Sequence, residues 1–351
     1  MDTLPPEWRW LPTADPNTPL PAEVPFEVTR ALGFKSYEGP LSRASSAAAV
    51  FWAARGNPPD FGRLPRVIRL VCYQSVRDAD LAPMLAAAAA RPWLQDLTVM
   101  GGGITAIPAE IAGMVQLYRL SFEDNALAEV PAAVAKLERL HTLDLEANPM
   151  VSVAPELAEM PALRELRVRG SRRAPMPMAT LPVLPQVRKL SLGWAPALQT
   201  RLTEYVSLTT LAIHGNVGEG VPAELAELGN LTALALAYSP WSAVPDAVRA
   251  LRRLQTLYLP YGAYATLPDW LPELAELRFL AVFGCHTMTP DHIVDTVARL
   301  PQLGKVFLPF PFPPPARARL KKLGFRSLTG NACIMYRPGF EGFDDPFTEI
   351  R

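Results

Sequence analysis

Three observations predict an α/β repeat solenoid. One apolar frame recurs: Leu94, Leu97 and Val99 are followed by Leu117, Leu120 and Phe122, then by Leu140, Leu143 and Leu145, in steps of 23 positions. The frame returns from Leu208, Leu231, Leu254 and Leu277. A β-branched residue or leucine followed by proline then marks the way back in each unit: Ile107-Pro108, Val130-Pro131, Val221-Pro222, Val244-Pro245 and Leu267-Pro268. Finally, an asparagine closes several frames, at Asn125, Asn148 and Asn216. A fixed period inside the window of roughly 20–29 residues marks a chain whose units bury their apolar sides against one another.

Composition allows this. The chain has 351 residues with 49% hydrophobic content, enough for a long core. Its 34 basic and 34 acidic residues balance, so no global field draws it to nucleic acid or an anionic membrane. Cys72, Cys285 and Cys333 are far apart and form no paired clusters, which points to a reducing, cytoplasmic setting. The start, Met1-Asp2-Thr3-Leu4-Pro5-Pro6, has no basic region ahead of an apolar run, so no Sec-type signal is expected. Delivery into a host cell by a non-Sec route stays open. The apolar stretch at 47–54 is far shorter than the ~20 residues a membrane span needs.

Taken in order, residues 1–63 are expected to form an irregular, partly helical N-terminal cap. Pro5, Pro6, Pro12, Pro16, Pro19 and Pro21 make the first part extended, with Trp8 and Trp10 either anchoring it or docking a partner. Helices are expected over about 25–34 and 41–55, the second Ala-rich with Val50, Phe51 and Ala54 on its apolar face. The solenoid is expected over 64–308, about 11 repeats. Ile68, Leu70 and Cys72 alternate as a first strand, and 82–90 reads as a helix with Asp78 and Asp80 near its start. In each regular unit a segment such as Leu120-Ser121-Phe122 is a short strand with its apolar pair inward. The asparagine satisfies backbone groups at the turn, and the proline opens the return at a first helical position. Val134 and Leu137, Leu225 and Leu228, and Val248 and Leu251 are then buried. Units 163–186 and 187–207 break the spacing, and altered return segments are expected there. Thr289-Pro290-Asp291 starts a helix running to about Leu300, and a last strand follows at 303–308. Residues 309–351 are expected to be a C-terminal cap and tail. The proline run at 309–315 excludes helix, 316–323 is a short basic helix, 325–336 a closing hairpin, and 337–351 a loose tail.

The frame L-x-x-L-x-L-x-x-N-x-L-x-x-[VIL]-P-x-x-[ILV]-x-x-[LM] resembles the 23-residue class of leucine-rich-repeat proteins, bacterial members and effector-type domains among them. The resemblance covers about 64–308. It implies a right-handed horseshoe-shaped arc with a parallel sheet on its concave face, and protein binding there. Some bacterial relatives join such repeats to a ubiquitin-ligase domain. Here neither flank shows a Cys-x-Asp motif, so the resemblance does not extend to ligase chemistry.

The third, fifth, seventh and eighth residues of each frame are expected to face a partner. They run from Glu123, Asp124, Asp144 and Glu146 through Glu165, Arg167 and Arg169, with Lys189 adjacent, to an aromatic series: Trp194, Tyr238, Tyr258, Tyr261, Phe279, Phe283, Phe307 and Phe310. Binding energy concentrates on Trp, Tyr and Arg. Trp194, Tyr238, Tyr258, Tyr261 and Phe283, with Arg167, Arg169, Glu123, Asp144 and Glu146, are therefore the candidate contacts for one protein or peptide ligand. Trp194, Tyr238, Tyr258 and Tyr261 are expected to be exposed, whereas Phe279, Phe307 and Phe310 either face the partner or lie under the chain's own C-terminal cap. Arg164, Arg167, Arg169, Arg172, Arg173 and Arg188 make a basic patch whose adjoining acidic strip suits a protein better than nucleic acid.

No catalytic, metal or cofactor constellation is expected. Cys285-His286, near Asp291 and His292, stands at the asparagine place of its frame, where cysteine is an ordinary substitute. His141 and His214 have no second ligand at metal spacing. Gly101-Gly102-Gly103 lacks the following Lys-Ser/Thr of a phosphate loop. The expectation is a monomeric, non-enzymatic interaction scaffold. The alternatives are an effector acting on a host protein, of the ubiquitin-ligase-associated type, or an immunity protein or inhibitor occluding a toxin or enzyme.

Overall fold

A computed structural model of the chain describes residues 49–52, 69–73, 76–91, 94–169, 181–193, 202–215, 223–328, 331–340 and 347. They fall into two compact units, Met1–Gln186 and Val187–Arg351. The proline-rich lead-in with Trp8 and Trp10, the helix expected at 25–34, and parts of the irregular segments at 163–186 and 187–207 (170–180 and 194–201) lie outside the described residues.

In the first unit the elements are β1 (Ala49–Trp52), β2 (Arg69–Tyr73), α1 (Asp78–Ala89), β3 (Asp96–Met100), β4 (Arg119–Ser121), β5 (Glu129–Val130), β6 (Thr142–Asp144), β7 (Ser152–Val153) and β8 (Glu165–Val168). Strands β1-β2-β3-β4-β6-β8 lie side by side and parallel, while β5 and β7 form a separate parallel pair. The second unit contains β9 (Lys189–Gly193), β10 (Thr210–His214), β11 (Ala233–Ala237), β12 (Thr256–Tyr258), β13 (Phe279–Ala281), α2 (Pro290–Ala298), β14 (Lys305–Phe307), α3 (Pro314–Lys322), β15 (Arg326–Leu328) and β16 (Asn331–Tyr336). Strands β9 to β14 run parallel, and β16 then β15 close the order antiparallel.

The repeat frame is the strand register. Leu97, Leu120, Leu143 and Leu166 face one another across neighbouring strands, as do Leu190, Leu211, Leu234, Leu257 and Leu280. All are buried. A one-residue slip would turn each of these leucines out to the other face, so the column itself holds the register. Fully burying each such side chain contributes about 1.5–3 kcal/mol.

The return segments depart from expectation. They are short 3₁₀ turns such as Ala109–Gly113, Ala132–Lys136 and Asp246–Ala250, and the prolines stand one residue before them rather than at their first position. Val134 N donates to Pro131 O, Leu137 N to Val134 O and Leu140 N to Leu137 O, at 3.1, 3.1 and 2.9 Å. The same chain of bonds runs through 108, 111, 114 and 117, and through 245, 248, 251 and 254. Apolar residues spaced by three match the three-residue turn of a 3₁₀ helix, not the 3.6 of an α-helix. Proline suits the start because only its carbonyl is used.

Each frame turn must also satisfy the buried carbonyl of its sixth residue. Asn125 Nδ2 donates to Val99 O at 2.8 Å, and its Oδ1 accepts from Gly102 N and Ile104 N at 3.0 and 3.1 Å. Asn148 Nδ2 donates to Phe122 O at 2.8 Å and Oδ1 accepts from Leu127 N at 3.0 Å. Asn216 is outside the described residues. Where the asparagine is missing, other donors reach the equivalent carbonyl: Cys285 Sγ donates to Leu259 O at 2.9 Å, and Tyr264 Oη to Leu236 O at 3.2 Å. Gly262 holds the asparagine place beside Tyr264, and a Cβ there would collide with the Tyr264 ring.

Three terminal expectations are corrected. Residues 49–52, expected within a helix, are strand β1, with Val50 opposite Leu70 and Trp52 opposite Cys72. Val, Phe and Trp favour a pleated surface, and a strand satisfies the edge of β2, which a helix could not pair. Helix α3 begins inside the proline run, because Pro314 and Pro315 occupy its first turn, where missing N–H groups cost nothing. The tail after 336 is not loose throughout: Phe347 is fully buried, and the Phe340 ring lies over Gly304 where any Cβ would clash. The other sequence-derived elements fall close to their expected places. The α2 helix is capped by Thr289, whose hydroxyl accepts from His292 N at 3.3 Å.

Asn148→Ala leaves the Leu127 amide without that partner in a buried turn and the Phe122 carbonyl with Asn125 Nδ2 alone, and should lower unfolding free energy by about 1–3 kcal/mol. Tyr264→Phe removes only one hydroxyl and should cost about 1–2 kcal/mol. Denaturant titration of both variants measures this, and equal stability of Asn148→Ala and wild type would show that the turn ladder is dispensable.

Candidate interaction surface

Residues at odd frame positions project from the sheet on the side away from the leucine column. In the first unit this face is charged. Asp144 on β6 is 3% exposed and lies between Arg167 Nη1 and Arg119 Nη2, each 3.6 Å from its Oδ2. Arg167 Nε also donates to Glu165 Oε1 at 2.7 Å, and Arg169 Nη2 donates to Glu146 Oε2 at 3.1 Å. Adjacent parallel strands, about 4.8 Å apart, place opposite charges side by side. The candidate contacts Arg167, Arg169, Asp144 and Glu146 thus engage one another. Glu123 is half-buried beside them, while Arg172 and Arg173 are outside the described residues.

Burial and the neighbouring Glu146 carboxylate push the Asp144 carboxyl up to about 7, against the opposing pull of Arg167 and Arg119. Burial, then Glu146, also raises Glu123.

In the second unit the face is apolar. Ala212, Ala233, Ala235, Tyr258, Phe279 and Ala281 are buried there together with Phe347. The Tyr258 ring meets Phe279 at 6.2 Å, Phe283 at 5.4 Å and Phe347 at 5.5 Å between centroids. Tyr258, expected to be exposed, is 0% exposed. It is a floor of the face rather than a contact, because Phe347 from the tail and Phe283 pack against it. Phe279 is buried as well, whereas Phe310 is 69% exposed and Phe307 half-buried.

The ring series continues outward. Phe283 stacks on Phe307 at 4.4 Å and meets Tyr261 edge-on at 5.1 Å, and Tyr261 stacks on Tyr238 at 4.9 Å with planes 6° apart. Tyr261 is 48% exposed, and Tyr238 and Phe283 are half-buried. Trp194 is outside the described residues.

Among the described residues the eighth position takes positive φ in seven frames: Gly101, Asp124, Ala147, Gly215, Tyr238, Tyr261 and Gly284 have φ of 65, 54, 58, 64, 55, 52 and 72°. Glycine adopts this region freely, and a bulky side chain rarely does, at a cost of about 1–2 kcal/mol. Tyrosine at two of these places keeps its rings outside the core. Gly284 is required on a second count, since a Cβ there would strike the Tyr261 ring. Sequence reasoning placed these tyrosines on the surface but missed their backbone constraint, whose signal is the glycine recurring at the same frame position.

The residues with catalytic flavour serve the scaffold. Burial pushes the Cys285 thiol up to about 11, so it stays a protonated donor to its carbonyl partner. His292 Nε2 accepts from Leu267 N at 2.8 Å. Among the described residues no group of three His, Cys, Asp or Glu side chains is placed to hold a metal, and no helix is long and apolar enough to cross a membrane.

The sequence matches no protein-family model and no curated protein. Among solved structures it is similar to a chain of the Drosophila Toll–Spatzle complex, at 18% identity and a TM-score of 0.50, over 74% of this chain and 36% of that one. It is also similar to an LRR protein of Leptospira interrogans, at 16% identity, TM-score 0.35, 72% and 93% coverage. An internalin of Listeria monocytogenes matches at 18% identity, TM-score 0.36, 69% and 81% coverage. With the frame and the parallel ladder, the Toll comparison identifies the fold as the leucine-rich-repeat solenoid.

Asp144 holds its proton in the folded state well above the unfolded aspartate range near 4. The folded protein therefore binds more protons than the unfolded chain between about pH 4 and about 7. The contribution of Asp144 to unfolding free energy should therefore fall as pH rises across that window and level off above it. Asp144→Asn should flatten the Asp144 part of that slope, as read by denaturant titrations at stepped pH, and an unaltered slope in the variant would contradict this assignment.

Proposed function

We propose that the chain is a non-enzymatic protein-interaction scaffold that captures a protein or peptide on the concave strand face of its second unit. The observation that carries this reading is the Tyr238–Tyr261 stack. Two flat rings stand partly open to solvent at positions where glycine would be cheaper for the backbone. The repeat turn sets this backbone geometry at the eighth position, and here it carries rings, which offer large, rigid contact area at low entropy cost. Phe283 supports the pair from below, and Tyr258 supports Phe283. Asp144, Glu146, Arg167 and Arg169 hold a rigid charged lattice in the first unit, whose rim residue Glu123 is the more accessible to a ligand.

Cys72, Cys285 and Cys333 are buried thiols that form no disulfide with one another, which supports a reducing compartment. The protein acts as a monomer, since one strand face suffices for the site.

Peptides selected from a displayed library against the full-length chain test the reading. Their affinity should drop at least about tenfold on Tyr261→Ala. Ala147 already adopts the same backbone region, so the fold should tolerate the change. Tyr118→Ala, at an equally exposed ring stacked on His141 in the first unit, should leave binding intact. Binders indifferent to Tyr261→Ala, or no binders at all, would reject the site.

A further inference from the structure

The strand faces of β4, β6 and β8 carry Arg119, Ser121, Thr142, Asp144, Glu165 and Arg167, yet β11 reads Ala233-Leu234-Ala235-Leu236-Ala237, with leucines toward the core and alanines on the face. Alanine is a poor strand former, so its repetition here reflects space rather than propensity. The space is filled. Phe347 is 0% exposed among Ala212, Ala233, Ala235, Tyr258, Phe279 and Ala281. It is remote in sequence from the repeats whose floor it covers.

Charge points the same way. The strand-face positions from β9 to β14 include Lys189 and Lys305 and no carboxylate, and Lys305 Nζ stands 5.3 Å from the Phe279 ring centroid. Residues 341–351 contain Glu341, Asp344, Asp345 and Glu349 against one Arg351. An acidic segment with an aromatic anchor suits a basic-rimmed apolar seat.

We propose that this alanine-floored seat is a recognition pocket for the aromatic anchor of an acidic peptide segment, and that Phe347 is its resident occupant, displaced when the partner binds. The inference deepens the scaffold reading and rests on it for the partner. The stacked tyrosines border the pocket through Phe283, so one ligand reaches both. Occupation in cis lowers apparent affinity by the fraction of molecules whose pocket is open, which makes the tail a regulator of capture.

The test uses the chain's own segment as probe, so its outcome is independent of the library selection. A fluorescent synthetic peptide of residues 341–351 is titrated by anisotropy into full-length protein. The Phe347→Ala protein should bind it at least about tenfold more tightly than wild type does. The peptide carrying Phe347→Ala should not bind, added salt should weaken binding, and Ala235→Leu in the Phe347→Ala protein should abolish it by filling the seat. Equal binding by wild type and Phe347→Ala, or none by a Phe347→Ala protein with an unchanged thermal transition, overturns the proposal. If Phe347→Ala does not fold, wild type labelled with 4-fluorophenylalanine at position 347 decides. Excess unlabelled peptide should move its ¹⁹F resonance to the solvent-exposed position, and a resonance that stays put overturns the proposal. A wild-type dimer in sedimentation that Phe347→Ala dissolves assigns the seat to a second copy's tail and overturns the partner reading.

Discussion

In four of the described frames the turn that ends a strand leaves the carbonyl of the frame's sixth residue in an apolar interior. An unpaired carbonyl there costs more than a typical hydrogen bond returns, and the following unit supplies a donor from inside. Asn125 and Asn148 do this with amides, Cys285 with a thiol and Tyr264 with a phenol that needs Gly262 beside it. The solution is chemical rather than residue-specific: a short reach, one donor, and burial. It fixes where the strand stops. The backbone then turns through positive φ one residue before the donor's place, at 124, 147, 261 and 284 among others. The eighth residue of these described frames is thereby turned outward, and this is what presents Tyr238 and Tyr261.

The two sides of each unit are built on different economies of space. On the return side, hydrogen bonds three residues apart carry the chain past Val134 and Leu137 with little bulk. On the strand side, residues two apart project outward, and neighbours in the ladder decide their fate. In the first unit acidic and basic groups fall next to each other and engage one another. In the second, alanines leave a depression that an aromatic ring from the tail closes. Between the sealed rings of Tyr258 and Phe279 and the open ring of Tyr261 runs one continuous aromatic contact through Phe283. Stiffness at the buried end holds the exposed end in a single pose, the preorganisation on which the proposed capture depends.

The periodic part of the sequence determined the architecture. Leucines at a constant interval must share one column, because parallel strands in register put equivalent residues opposite each other, and the prolines and asparagines mark where each strand ends and each return begins. The three-residue spacing from Pro131 to Leu140 also stated the 3₁₀ geometry, although it reads easily as a generic helix. Which strand-face residues stay open is a different kind of fact. Tyr258 and Tyr261 are separated by three positions and share the same composition-based reading, yet one is sealed and the other half open. Arg167 and Asp144 likewise look like two contact residues until the ladder sets them side by side. Only the tertiary structure decides this, because exposure depends on what other segments cover, and Phe347 reaches its alanine floor from outside the repeat with no periodicity to announce it.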